Sequence, residues 1–196
     1  MNALLSEAQR DALQELMNIS MGQAANALAR LIETRITLSI PRIVAATPSE
    51  FTALLSQHEA NWFTRQSFMG KVNGEALTLL TKDGCEALAE AMDYDVPLSE
   101  ASRQELVLEL ANILAGACLT GFSEQLDLAT KLSMPTLYAP ALSSGEQGVE
   151  HFRWISTLLL EVEFSVDASL FDSKVIICLE QRSVQTLLAS INRLLE

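Results

Sequence analysis

Shifting the chain along itself by 94 residues lays Glu15 on Glu109, Leu16 on Leu110, Asn18 on Asn112, Ile19 on Ile113 and Gly22 on Gly116. The same shift lays Leu38 on Leu132, Ser39 on Ser133 and Pro41 on Pro135 without a gap. At average residue frequencies Glu, Asn and Pro coincide at one chosen offset about once in ten thousand trials, and testing many offsets raises that to about one in a hundred. A duplication explains the match better than chance. It also constrains the fold more than any single element, because whatever the first half builds the second must build again.

Each half reads helix–strand–strand–strand–helix. A helical pattern runs from Glu7 to Glu33 behind the N-cap candidate Ser6, with apolar residues at Leu13, Leu16, Met17, Met21, Ala24, Leu28 and Leu31. One strand is predicted over residues 35–46, rich in β-branched residues, and residues 48–60 read as a loop or short helix. Trp62 to Lys71 and Glu75 to Leu80 form a hairpin around Val72-Asn73-Gly74, since Asn and Gly both tolerate positive φ. A short helix follows from Lys82 to Met92.

The second half starts at Ser99 or Ser102 with a helix reaching Leu128. A strand over Thr130 to Tyr138, a loop at 143–148, strands over His151 to Val166 and Lys174 to Glu180, and a helix over Ser183 to Leu195 complete it. Hairpin-like neighbours imply antiparallel pairing with helices covering one face of the sheet. The expected fold class is α+β. A tandem duplication of an α-β-β-β-α unit forms one domain over residues 1–196, in two pseudo-repeats of about 1–95 and 96–196.

Composition narrows the function. Of 196 residues 49% are hydrophobic and 19% charged, enough apolar content for a packed core. A net charge of −12 repels a phosphate backbone and argues against nucleic acid as the main partner. Cys85, Cys118 and Cys178 lie far apart in apolar stretches, as small core residues in a reducing compartment do. The N-terminal residues show no signal-peptide pattern. The apolar run from Leu106 to Phe122 contains Glu109 and Asn112, so it reads as a buried helix and no membrane insertion is expected. A cytoplasmic protein is the expectation.

At 100° per residue Asp11, Glu15, Asn18 and Gly22 share a narrow stripe of the first helix, opposite its apolar side. Glu105, Glu109, Asn112 and Gly116 form the second stripe, opposite Val107, Leu110, Leu114 and Phe122. A single exposed Glu-x-x-Asn is ordinarily just a solvated face. Asn is a mediocre helix former, however, and here it recurs in register with Glu and Gly. The Gly costs about 1 kcal/mol of helix propensity and removes a side chain where a partner would approach. His58 and His151 lie in other segments without metal-like spacing, and no phosphate-binding glycine loop or His/Cys cluster is present in the sequence. A carboxamide can orient a water for in-line attack on a phosphoryl group, while a carboxylate can pair with a partner's lysine.

The pattern Asp11-x₃-Glu15-x₂-Asn18-x₂₂-Pro41, and its second copy at Glu105, Glu109, Asn112 and Pro135, resembles the signature of the CheC/CheX/FliY phosphatases of bacterial chemotaxis. Two motifs in one chain are most similar to CheC. Glu105 stands where the family has Asp or Ser. The resemblance implies dephosphorylation of the aspartyl-phosphate of a CheY-like response regulator. Asn18 and Asn112 would orient the water, and Glu15 and Glu109 would pair with the regulator's lysine. It implies no cofactor of the chain's own, the Mg²⁺ coming from the regulator, and a CheD-like deamidase as a further partner. A non-catalytic docking module is the alternative. Two centres of unequal strength are expected. The first is favoured, because Gln14, Gln23 and Asn26 keep its helix polar while Leu106, Leu108 and Ile113 suggest deeper burial of the second.

Overall fold

The computed structural model describes residues 5–47, 50–51, 53, 61–138, 157–166 and 170–196. Helix α1 (Glu7–Ile32) begins in a reciprocal cap. Ser6 Oγ accepts the Gln9 N–H at 3.2 Å, and the Gln9 side chain accepts the Ser6 N–H at 2.9 Å. Strands β1 (Ile36–Leu38), β2 (Arg42–Ala46), β3 (Asn61–Gly70) and β4 (Gly74–Thr81) follow. The helix predicted from Lys82 to Met92 is instead α2 (Lys82–Ala87) and a 3₁₀ turn at Glu90–Met92. Helix α3 (Glu100–Gln125) starts at Ser99, whose Oγ accepts the Ser102 N–H at 3.0 Å. Strands β5 (Thr130–Leu132), β6 (Thr136–Leu137), β7 (Thr157–Val166) and β8 (Asp172–Leu179) lead to α4 (Gln181–Leu195). The loop at 143–148 and the predicted strand start at His151 lie outside the described residues, as do most of residues 48–60.

All eight strands form one antiparallel sheet in the order β1-β7-β8-β4-β3-β5, with β2 also on β7 and β6 also on β3. Helix, strand pair and hairpin thus recur in the same order and pairing. Each half lends its two short strands to the long hairpin of the other. The backbone repeats as well: Glu33 and Asp127, 94 residues apart, both adopt φ 51° just past a long helix.

The single strands predicted over 35–46 and 130–138 are each two strands, and the same device splits both. Pro41 and Pro135 have no N–H to offer a ladder. Ahead of each proline a serine side chain takes over the pairing. Ser39 N–H donates to Glu163 O and Ser39 Oγ accepts from Glu163 N–H, both at 3.0 Å. Ser133 makes the same pair of bonds with Ser67, at 2.8 and 2.9 Å. The repeated Leu-Ser-x-Pro is therefore a latch that pins the end of a short strand to the partner half.

The β3–β4 hairpin forms where predicted, for a different reason. Neither Asn73 nor Gly74 has positive φ. Asn73 works through its side chain, whose Oδ1 accepts the Gly70 N–H at 3.0 Å. Gly74 is required by crowding: a Cβ there would lie 2.1 Å from the Cys178 carbonyl oxygen and 2.6 Å from the Phe68 ring.

Helices α1 to α4 pack on one face of the sheet. Side chains alternate strictly along the strands. Leu158, Leu160, Val162 and Phe164 of β7 and Val175, Ile177 and Leu179 of β8 join Leu13, Met17, Leu28, Leu110, Leu114 and Phe122 in the main core. Each such side chain stabilises the fold by roughly 1.5–3 kcal/mol when fully buried. A smaller cluster on the opposite face holds Phe51, Phe63, Leu77, Leu79, Leu159, Ile176 and Cys178. Leu31, expected in the core, is 40% exposed near the end of α1. Helix α3 is long and apolar enough to cross a membrane by composition, but its apolar side is spent on the core. All three cysteines are free and buried. Burial pushes the Cys85 thiol up to about 12, and those of Cys118 and Cys178 also upward.

Candidate functional site: two Glu–Asn stripes

The structure gives each helix two sides of opposite character. On α1, Leu13, Met17, Met21, Ala24 and Leu28 face the core, while Asp11, Glu15 and Asn18 are exposed and Gly22 is half-buried. On α3, Leu106, Leu110, Leu114 and Cys118 face the core, while Glu105, Glu109 and Asn112 are exposed and Gly116 is half-buried. The deeper burial expected for the second stripe does not occur. Its apolar flanks Leu106 and Ile113 turn inward and leave Glu109 and Asn112 at the surface.

Among the described residues the stripe glycines have no steric reason. A Cβ at Gly22 would meet nothing within 4 Å, and one at Gly116 would only touch Leu132 at 4.0 Å. Gly121 behaves differently. It sits where α1 and α3 cross, and a Cβ there would lie 3.0 Å from Ser20 Cα and 2.3 Å from Gln23 Oε1. Beside each stripe, an apolar side chain stands out just before the buried proline: Ile40 is 74% exposed and Met134 78%.

The surroundings of the two stripes differ. At the first, Arg10 Nη1 donates to Ile43 O at 3.0 Å and Gln14 Nε2 to Pro41 O at 3.4 Å, tying α1 to the β1–β2 link. A depression of about 310 Å³ lies between these residues. Among the described residues no hydrogen bond or ion pair reaches the side chains of Glu15 and Asn18.

At the second stripe both candidate side chains, Glu109 and Asn112, are held. Tyr94 Oη donates to Glu109 Oε2 at 2.8 Å. Burial, then this bond, then the charges of Glu109 and Glu105 push the Tyr94 hydroxyl upward, so it remains a donor. Gln66 Nε2 donates to Asn112 Oδ1 at 3.1 Å and to Ser133 O at 3.0 Å. A depression of about 450 Å³ continues the stripe past Gly116, bounded by Thr120, Glu124, Thr130 and Leu132.

Gln66 and Tyr94 were not singled out from the sequence. For Gln66 a signal existed: it shares with Thr64 and Phe68 the helix-facing side of β3, where a glutamine is out of place. Tyr94 gave none, because its contact depends on how the turn after Met92 folds back on α3. His58 and His151 lie outside the described residues. Among the described residues no three His, Cys, Asp or Glu cluster as metal ligands would.

Comparison with known proteins fits this geometry. A model of the CheC-like family matches residues 9–44, from the first turn of α1 through Asn18 and Pro41 into β2. FliY of Thermotoga maritima has a similar structure over 97% of this chain and 99% of its own, with a TM-score of 0.73 at 17% identity. A chemotaxis protein CheX from Desulfovibrio desulfuricans is similar over 85% and 99%, with a TM-score of 0.58 at 16% identity. The FliM middle domain from H. pylori is similar over 95% and 99%, with a TM-score of 0.65 at 12% identity. At these identities the structures speak for the fold alone. The chain thus carries a match to the CheC-like family across its first motif, and it shares its fold with FliY and CheX.

Proposed function

We propose that this chain is a phosphatase of a phosphorylated response regulator, acting in the cytoplasm in chemotaxis or a related two-component pathway. The observation that carries the reading is the twofold display of Glu and Asn one turn apart on an exposed helix face, with a glycine that no described residue requires sterically. The stripe docks over the regulator's aspartyl-phosphate. Glu15 or Glu109 pairs with a lysine of the regulator and sets the orientation. Asn18 or Asn112 holds a water in line with the phosphorus. Water oxygen bonds to phosphorus, the P–O bond to the aspartyl carboxylate breaks, and the water's proton leaves with inorganic phosphate. The Mg²⁺ this chemistry uses is bound by the regulator, and the chain contributes no cofactor of its own.

The half-life of a phosphorylated regulator, with and without the protein, tests the proposal. The wild type shortens it, and Asn18→Ala combined with Asn112→Ala restores the uncatalysed value with the thermal midpoint nearly unchanged, both side chains being exposed. A double variant that still shortens the half-life would place the water elsewhere. A second reading, a docking module for a regulator or a CheD-like deamidase, draws on Ile40 and Met134, whose exposure suits contact rather than catalysis. Capture of the regulator without loss of its phosphate would favour it.

A further inference from the structure

We infer that Gln66 is a positioning residue for the second centre: it fixes the amide plane of Asn112, and among the described residues nothing does the same for Asn18. This rests on the phosphatase reading and deepens it. Gln66 is 1% exposed, on the helix-facing side of β3, and it reaches Asn112 from beneath. Its orientation is not free. The Ser133 carbonyl is an acceptor only, so the Gln66 NH₂ group must face it, and the Ser133–Ser67 latch holds that carbonyl in place. The same NH₂ group then meets Asn112, which can answer only with its Oδ1. Asn112 is left with both N–H donors and one Oδ1 lone pair, in a plane set before any partner arrives.

The equivalent position of the other half shows that the fold does not need a glutamine there. The latch pairs Ser39 with Glu163 as it pairs Ser133 with Ser67, so the residue matching Gln66 is Val162. Val162 is 0% exposed and packs in the main core, with no donor to offer Asn18. Gln66 also carries a penalty that a valine avoids. Its Oε1 is buried and finds no hydrogen-bond partner among the described residues. A buried amide satisfied on one side only, and that side aimed at Asn112, is explained by what it does to Asn112. A preset carboxamide loses less rotational freedom when the phosphoryl group docks, which appears in the maximal rate rather than in affinity.

The test isolates each centre and reads rate and affinity separately. Single-turnover loss of the acyl-phosphate is followed against protein concentration, giving a maximal rate and a half-saturating concentration. In an Asn18→Ala background, where only the second centre works, Gln66→Val lowers the maximal rate about tenfold and leaves half-saturation unchanged. In an Asn112→Ala background the same substitution changes neither. Gln66→Met keeps the side chain's length without the donor, and behaves likewise if the valine variant folds poorly. An unchanged maximal rate with either substitution overturns the inference. So does an equal fall in both backgrounds, which would make Gln66 a residue of the fold. If the wild type itself leaves the half-life unaltered, the phosphatase reading fails instead. Side-chain amide relaxation then still reads the holding of Asn112, which Gln66→Val must loosen to the mobility of Asn18.

Discussion

The two stripes carry Glu, Asn and Gly at the same spacing on helices that each start at a serine cap, yet their supports come from different places. The first is braced by its own helix, through Arg10 and Gln14 reaching the β1–β2 link, while Glu15 and Asn18 project without a bond to the described residues. The second is braced from outside its helix. Gln66 rises from the sheet and Tyr94 folds back from the preceding turn, and each takes hold of a stripe side chain itself, Asn112 or Glu109. Duplication copies a motif, but the residues that orient it belong to the other half of an exchanged sheet, where they diverge under separate packing demands. Two matching motifs are therefore not two identical sites.

This difference reverses the ranking that composition suggests. The second stripe is exposed like the first and better held, so under the proposed phosphatase activity it should be the faster centre. Asn112→Ala should remove most of the acceleration of dephosphorylation, and Asn18→Ala less than half. Single-turnover rates of the two variants, each with retained activity, check this. Equal losses would break the comparison. Complete loss from one substitution would reduce the other stripe to a remnant of the duplication.

A smaller effect separates the stripe glycines, proposed to serve docking, from the one that serves packing. Gly22→Ala places a methyl in open space and Gly116→Ala one in ordinary contact with Leu132, so each should raise stability by about 0.5–1 kcal/mol through helix propensity. Both should weaken regulator binding, because the methyl stands beside Asn18 or Asn112 where the partner must come close. Gly121→Ala should lower stability by about 1–3 kcal/mol, since the methyl presses on Ser20 at the α1–α3 crossing. Thermal melts and a binding isotherm on the three variants read both quantities. A stripe glycine whose replacement leaves binding unchanged would return that position to the solvated face of an ordinary helix.

The sequence made the helices, the long hairpins and both motifs readable because each rests on local periodicity or on the repeat. Other features depended on pairing across the halves. Pro41 was visible, but that it splits a strand requires knowing that Ser39 latches onto Glu163 of the other half. Asn73-Gly74 marked the turn, yet the need for Gly74 comes from the Cys178 carbonyl on a neighbouring strand. Glu109 and Asn112 were found from helical geometry, whereas Gln66 acts from 46 residues away and Tyr94 through an irregular turn. What the chain does with nearby neighbours is written in its periodicity. What orients a site from across the sheet is not.

Tyr94 offers the finest test of the comparison. Tyr94→Phe keeps the ring packed and removes one hydrogen bond to Glu109. Glu109 is exposed, so water replaces the lost donor and the cost stays below about 1 kcal/mol. In an Asn18→Ala background the half-saturating regulator concentration should rise a few-fold with the maximal rate held, the opposite split from Gln66. Alkali adds a second readout. The folded state holds the Tyr94 proton more tightly than the unfolded chain does. Its contribution to stability is therefore full below the unfolded value of about 10 and declines as pH rises toward the higher folded one. The stability lead of the wild type over Tyr94→Phe should stay constant from pH 6 to 9 and shrink above about pH 10. A lead that varies between pH 6 and 9 would mean that another titrating group, and not the tyrosine hydroxyl, governs how Glu109 is held.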